Sequence, residues 1–313
     1  MLTKNFKLLA IGLSIFACAN VYAGQCSTIR FSDVGWSDIT STTAVTTQIL
    51  QGMGYKTKID LLSVPVTYSS MANKDIDVFL GNWMPTMEGD IKKYRDNGSV
   101  ETVRANLTGA KYTLAVPKYV YDAGVKSFSD IAKFANKFHD RIYGIEPGND
   151  GNRLIQSMID KNAFNLKDFT LVESSEAGMV SQVKRAIRRK QWIAFLGWAP
   201  HPMNSNFDMK YLSGGDDYFG PDFGGASVYT NVRKGFTGQC PNVGHLLNNL
   251  KFSLSMENHI MDSILNKNEK PAKAAIKWLN QNPQVLDKWL NGIRTIDGKP
   301  AKQAVLSYLK EHS

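Results

Sequence analysis

Three tryptophans recur in closely similar settings along this chain: Gly35-Trp36-Ser37-Asp38, Gly81-Asn82-Trp83-Met84-Pro85 and Gly197-Trp198-Ala199-Pro200-His201-Pro202. Each follows a short β-rich run and has a glycine within two residues before it, a context of tight turns that exposes a ring rather than plugging a core with it. One such tryptophan alone would read as core packing, because Trp is highly buried on average. Three at equivalent strand ends read as a site. Aromatic faces that converge on a cleft attract a cation with no N–H groups to donate, since the π-face is the negative side of the ring quadrupole. A primary amine would call for a ring of carboxylates, whereas a trimethylammonium head offers only polarised methyls. The chemistry implied is capture of a quaternary ammonium.

Other chemistries lack their residues. There is no Cys-x-x-Cys and no His-Glu-x-x-His, and the five histidines are far apart in sequence, so neither a metal site nor a cofactor is expected. No Gly-x-Ser-x-Gly elbow is present, and no histidine stands near a serine in a recognisable strand-to-helix turn. Met84, Met179 and Met203 read as core fillers.

The elements that must hold the tryptophans alternate between strands and helices, the pattern of α/β folds with parallel sheets and crossover helices. Residues 29–34 predict a first strand, 43–53 a helix ended by Gly54, 58–62 a second strand and 75–80 a third. A second series has strands near 112–116, 141–145, 169–172 and 192–196, with helices between. After the Gly/Asp-rich stretch 213–225, a strand at 227–232 leads into a helical tail. Two lobes follow, with a ligand in the cleft between them at the carboxyl ends of the strands. The expected division is 24–108 plus 218–313 for the first lobe and 109–217 for the second, with Tyr218, Phe219 and Phe223 as hinge packing.

Residues 1–23 read as a signal peptide: Lys4 and Lys7, an apolar run from Leu8 to Phe16, then Val21-Tyr22-Ala23 with small residues at the cleavage positions. The competing reading, a lipid anchor on Cys18, sets bulky Phe16 awkwardly near the cysteine. Removing the leader leaves 290 of 313 residues and takes the formal net charge from +9 to +7. It also leaves two cysteines, Cys26 and Cys240, which in an oxidising periplasm are expected to form a disulfide joining the chain's two ends; two buried free thiols are the alternative. The basic cluster Lys184, Arg185, Arg188, Arg189 and Lys190 reads as a solvated helix face or a transporter contact, because an exported protein rarely meets nucleic acid.

Five segments together carry a family resemblance: Gly35-Trp36-Ser37-Asp38, Gly81-Asn82-Trp83-Met84-Pro85, Lys111-Tyr112-Thr113, Glu146-Pro147-Gly148-Asn149-Asp150-Gly151 and Gly197-Trp198-Ala199-Pro200-His201. In this order, over essentially the whole mature chain, they resemble the choline-binding proteins of the glycine betaine/proline betaine binding-protein family of ABC importers. The resemblance implies a two-lobed, type II-like periplasmic binding protein that works as a monomer with an inner-membrane permease. It also implies an aromatic box of Trp36, Trp83, Tyr112 and Trp198 around the trimethylammonium group, with Asp38 and Asn149 bonded to the choline hydroxyl. Asp38 would repel the carboxylate of a betaine, which favours choline.

Alternatives stand beside this reading. Asp38 and Asn149 both precede helices, where capping is the ordinary job of such residues. His201, between two prolines, reads as a turn residue. A glycine betaine or carnitine binder would share the fold, an exported hydrolase of choline esters would reuse the box, and a sensor would couple the same module to a receptor.

Overall fold

The computed structural model describes residues 26–313, so the leader and the Cys18 anchor lie outside the described residues. The described residues form nine strands: β1 (Thr28–Asp33), β2 (Lys56–Leu61), β3 (Val78–Met84), β4 (Val100–Pro117), β5 (Arg141–Tyr143), β6 (Thr170–Val172), β7 (Ala194–Ala199), β8 (Met209–Tyr211) and β9 (Gly225–Arg233). They form one continuous sheet in the order β2-β1-β3-β9-β4-β7-β5-β6, with β8 paired to β4.

The two ends of this sheet are parallel, as crossover helices require: β1 pairs with β2 and β3, and β5 with β6 and β7. The middle is antiparallel, an arrangement the strand-helix alternation did not reveal. β4 is 18 residues long, pairs with β9 over Val100–Lys111 and with β7 over Lys111–Ala115, and so runs from one parallel set to the other. Only its last third was predicted. The polar stretch Glu101–Gly109 hides the rest, and three register irregularities against β9 interrupt its alternation. Trp83 and Trp198 lie within β3 and β7 rather than past their ends, while Trp36 follows β1.

Helix Ser37–Gly52 begins six residues before the predicted start at Thr43. Its first half, Ser37-Asp38-Ile39-Thr40-Ser41-Thr42-Thr43, is poor in helix formers. Burial overrides propensity: most of these side chains are covered, and Ser41, Thr46 and Thr47 hydroxyls donate back to carbonyls of Ser37, Thr42 and Ala44. The cover is the C-terminal tail, whose helices Leu254–Leu265, Pro271–Gln281 and Ala301–Glu311 pack on it. The tail is fastened by the Cys26–Cys240 disulfide, with Cα atoms 5.7 Å apart across 214 positions. An ion network centred on buried Asp77 also knits the sheet: Asp77 accepts from Arg30 on β1 and from Arg233 on β9. Burial pushes the Asp77 carboxyl up, but the two guanidiniums prevail and hold it below the ordinary carboxylate range. Among the described residues, no helix is long and apolar enough to cross a membrane.

Candidate ligand-binding site

Trp36, Asp38, Trp83, Tyr112, Ile145 and Trp198 line one narrow pocket. Trp36 and Asp38 come from the start of the Ser37 helix, Trp83 from β3, Tyr112 from β4 and Trp198 from β7, so both parallel sets contribute walls. Tyr112 stands edge-on to Trp83 (ring centroids 6.0 Å, 61°) and to Trp198 (6.3 Å, 85°). Behind it Phe219 packs perpendicular at 5.8 Å, and Phe219 in turn meets Phe128. Of the residues read as hinge packing, Phe219 is fully buried, Tyr218 packs on Phe164, and Phe223 is exposed. Peptide bonds Met84-Pro85 and Ala199-Pro200 are both cis.

The polar atoms of Trp36, Trp83 and Tyr112 are already committed. Trp83 Nε1 donates to Asp38 Oδ2 at 3.1 Å, and Trp36 Nε1 to Glu146 Oε1 at 2.8 Å. That leaves the ring faces as the surface open to a ligand. Asp38 does not cap its helix: Trp36 holds the N-cap position and makes no side-chain cap bond. The other Asp38 oxygen, Oδ1, is buried with no partner.

Asn149 stands behind the pocket wall and is not among the lining residues. Its Oδ1 accepts from Asn152 N, capping helix Asp150–Asp160, and from the Tyr112 hydroxyl at 2.9 Å; its Nδ2 donates to Asp150. Tyr112 reaches that helix start only because residue 151 is glycine. A Cβ there would lie 2.0 Å from the Tyr112 hydroxyl oxygen.

The electrostatics favour a cation. Burial, reinforced by the nearby Glu176 charge, pushes the Asp38 carboxyl up to about 8. Burial likewise lifts Glu146 to about 7 and Asp150 to about 6. Glu257, packed behind Asp38, is raised well above its ordinary value by burial and then by Asp38. Among the described residues no lysine or arginine pairs with Asp38, Glu146 or Glu257, so the carboxyls resist ionisation until positive charge arrives.

Two carboxylates missed in the sequence cross the cleft. Glu146 holds Trp36, and Glu176 accepts from Ser37 N at 2.8 Å and from His201 at 3.2 Å. His201 sits in the bend after β7, as its flanking prolines suggest, and is buried in this network beside Trp198. At the rim, Arg153 donates to Thr86 O and Asp90.

The profile of the family described as the substrate-binding domain of ABC-type glycine betaine transport system (OpuAC) matches residues 27–281. An ABC-transporter choline binding protein solved with choline is 60% identical over 91% of this chain and 99% of its own, with a TM-score of 0.90. The same kind of protein in an unliganded semi-closed conformation superposes at 0.84. Lactococcal OpuAC, closed on glycine betaine, is 28% identical over 84% of this chain and 99% of its own, at 0.76. A glycine betaine/carnitine transport binding protein of Listeria monocytogenes is 29% identical over 170 residues, 54% of this chain and 55% of its own length. The two-lobed fold with its cleft is thus that of periplasmic binding proteins, and this chain belongs to the family of substrate-binding domains of ABC-type glycine betaine transport systems.

Proposed function

We propose that this chain captures choline in the periplasm and delivers it to an ABC permease in the inner membrane, without turning it over. The observation that carries the reading is the pocket itself: four aromatic rings around one buried carboxylate oxygen that has no partner. Trp36, Trp83, Tyr112 and Trp198 surround the trimethylammonium head. Asp38 Oδ1 receives the choline hydroxyl, and Asn149 braces Tyr112 and offers its second Nδ2 hydrogen. At about 0.5–2 kcal/mol per ring, four rings supply about 2–8 kcal/mol, against about 8 kcal/mol for micromolar affinity. Lobe closure and burial of the methyls contribute the remainder. The lobes are 24–108 plus 218–313 and 109–217, a division supported by Gly109, which bends β4 at φ +78.

Glycine betaine or carnitine is the second reading, favoured by the family profile and the Listeria relative. Its difficulty is Asp38, which would face a ligand carboxylate inside a pocket already rich in acids. Calorimetric titration of refolded, ligand-free protein with choline and with glycine betaine separates the two. One-to-one choline binding with much weaker betaine binding is expected. Preference for betaine would replace the ligand and keep the fold, and no heat with either would end the proposal.

A further inference from the structure

Glu176 does not line the pocket, yet through one residue on each side it touches both walls. It is the first residue of helix Glu176–Arg188, and its side chain is only 7% exposed. On one side its Oε1 meets His201 Nε2. The Met203 amide donates to the other ring nitrogen, Nδ1, at 2.9 Å, which leaves the imidazole proton on Nε2 and directs it at the carboxylate. The same ring lies 4.7 Å from Trp198, at 64°. On the other side Oε2 takes the Ser37 amide, the first N–H of the helix that carries Asp38.

The Ser37 helix needs that acceptor. Its N-cap residue, Trp36, supplies no side-chain oxygen, and a helix start both lacks partners for its first amides and favours negative charge. The missing cap comes from the opposite lobe, 139 positions along the chain. It is in place only when the lobes are together; apart, the amide falls to water and Glu176 keeps His201 alone. Other cross-cleft contacts among the described residues are narrower: Glu146 reaches Trp36, Arg153 ties Thr86 and Asp90, and Asp150 meets Thr86.

We propose that Glu176 is a positioning residue for ligand capture: oriented by His201 beneath Trp198, it caps the Ser37 helix in trans and locks the two aromatic walls together without touching the ligand. This rests on the choline reading above. A cross-lobe lock acts on escape more than on encounter, because it forms after the ligand has entered.

The test is stopped-flow tryptophan fluorescence on the mature protein with choline as probe. Glu176→Gln keeps the volume and removes the charge. Ser37→Pro removes the donor at a position where proline suits a helix start, following a residue already extended at φ −89, ψ 135. Each is expected to raise the dissociation rate about tenfold or more while leaving the association rate and the unliganded melting temperature nearly unchanged. The double variant should dissociate no faster than Ser37→Pro alone, because the uncharged Gln weakens the same bond that the proline removes. Unchanged dissociation in both single variants, or rates that multiply in the double, would overturn the lock. If the wild-type protein ignores choline, the ligand assignment fails instead, and the same comparison with glycine betaine still decides the role of Glu176.

Discussion

At the scale of single residues, the pocket opposes ring faces to a carboxyl that burial pushes up to about 8. Trp198→Ala should weaken choline binding by about tenfold or more, a loss of about 1.4 kcal/mol, read by calorimetry. Asp38→Asn should mainly erode the preference for choline over glycine betaine in the same titration. Gly151→Ala, which touches no ligand in the proposed arrangement, should also weaken binding by driving the Tyr112 hydroxyl out of place. The pH dependence follows from the raised carboxyls. A folded value of about 8 for Asp38 and about 7 for Glu146, against ordinary values of 3.8 and 4.5, gives stability that is full below the ordinary values and is lost as pH climbs through the raised ones. A bound cation offsets that loss. The rise in melting temperature on saturation with choline should therefore be larger near about pH 8 than near about pH 5.5, as differential scanning would show. Equal rises would mean that Asp38 and the cation do not interact. The three tryptophans were legible in sequence because each recurs just after a glycine, although only Gly35 is a turn glycine and Gly81 and Gly197 lie inside β3 and β7; Tyr112 came only with the family resemblance. Glu146, Glu176 and His201 were not legible, since the partners that give them meaning lie 110, 139 and 25 positions away.

At the scale of elements, sequence located β1, β2, β5, β6, β7 and β9 to within a few residues, because short apolar runs between turn signals survive any packing. It lost the first two-thirds of β4 and the start of the Ser37 helix. In both places polar or β-branched residues take their conformation from distant neighbours: β9 in the first case, the C-terminal helices in the second. The Arg30–Asp77–Arg233 network shows the same dependence, joining β1, β3 and β9 around a carboxylate with little exposure. Asp77→Ala leaves a buried guanidinium uncompensated and should cost about 3 kcal/mol or more in chemical denaturation, with the box geometry spared. Because the guanidiniums hold Asp77 below its ordinary value, its contribution is present above about pH 4 and disappears as pH falls further.

At the scale of the whole molecule, the chain leaves the first lobe by β4 and returns by β9, then closes with a tail fastened by Cys26–Cys240. Removing that bond with paired Cys26→Ser and Cys240→Ser substitutions should lower stability by about 2–5 kcal/mol, seen as an earlier midpoint in urea. Choline affinity should hardly change, since neither sulfur lies near the rings. The pairing of β4 with β9 reaches further than stability. Two separate linkers would let the lobes swivel, slide and bend independently. Here β4 and β9 pair mainly inside the first lobe, and the rungs Ala110–Ala226 and Lys111–Gly225 carry the pairing to the crossing itself, so the two segments are tied side by side next to Gly109, which bends β4 at φ +78. Segments tied to each other at the crossing favour bending about one shared line over independent swivelling, and a single hinge of that kind would bring Trp36 and Trp198 back to the same relative position at each closure.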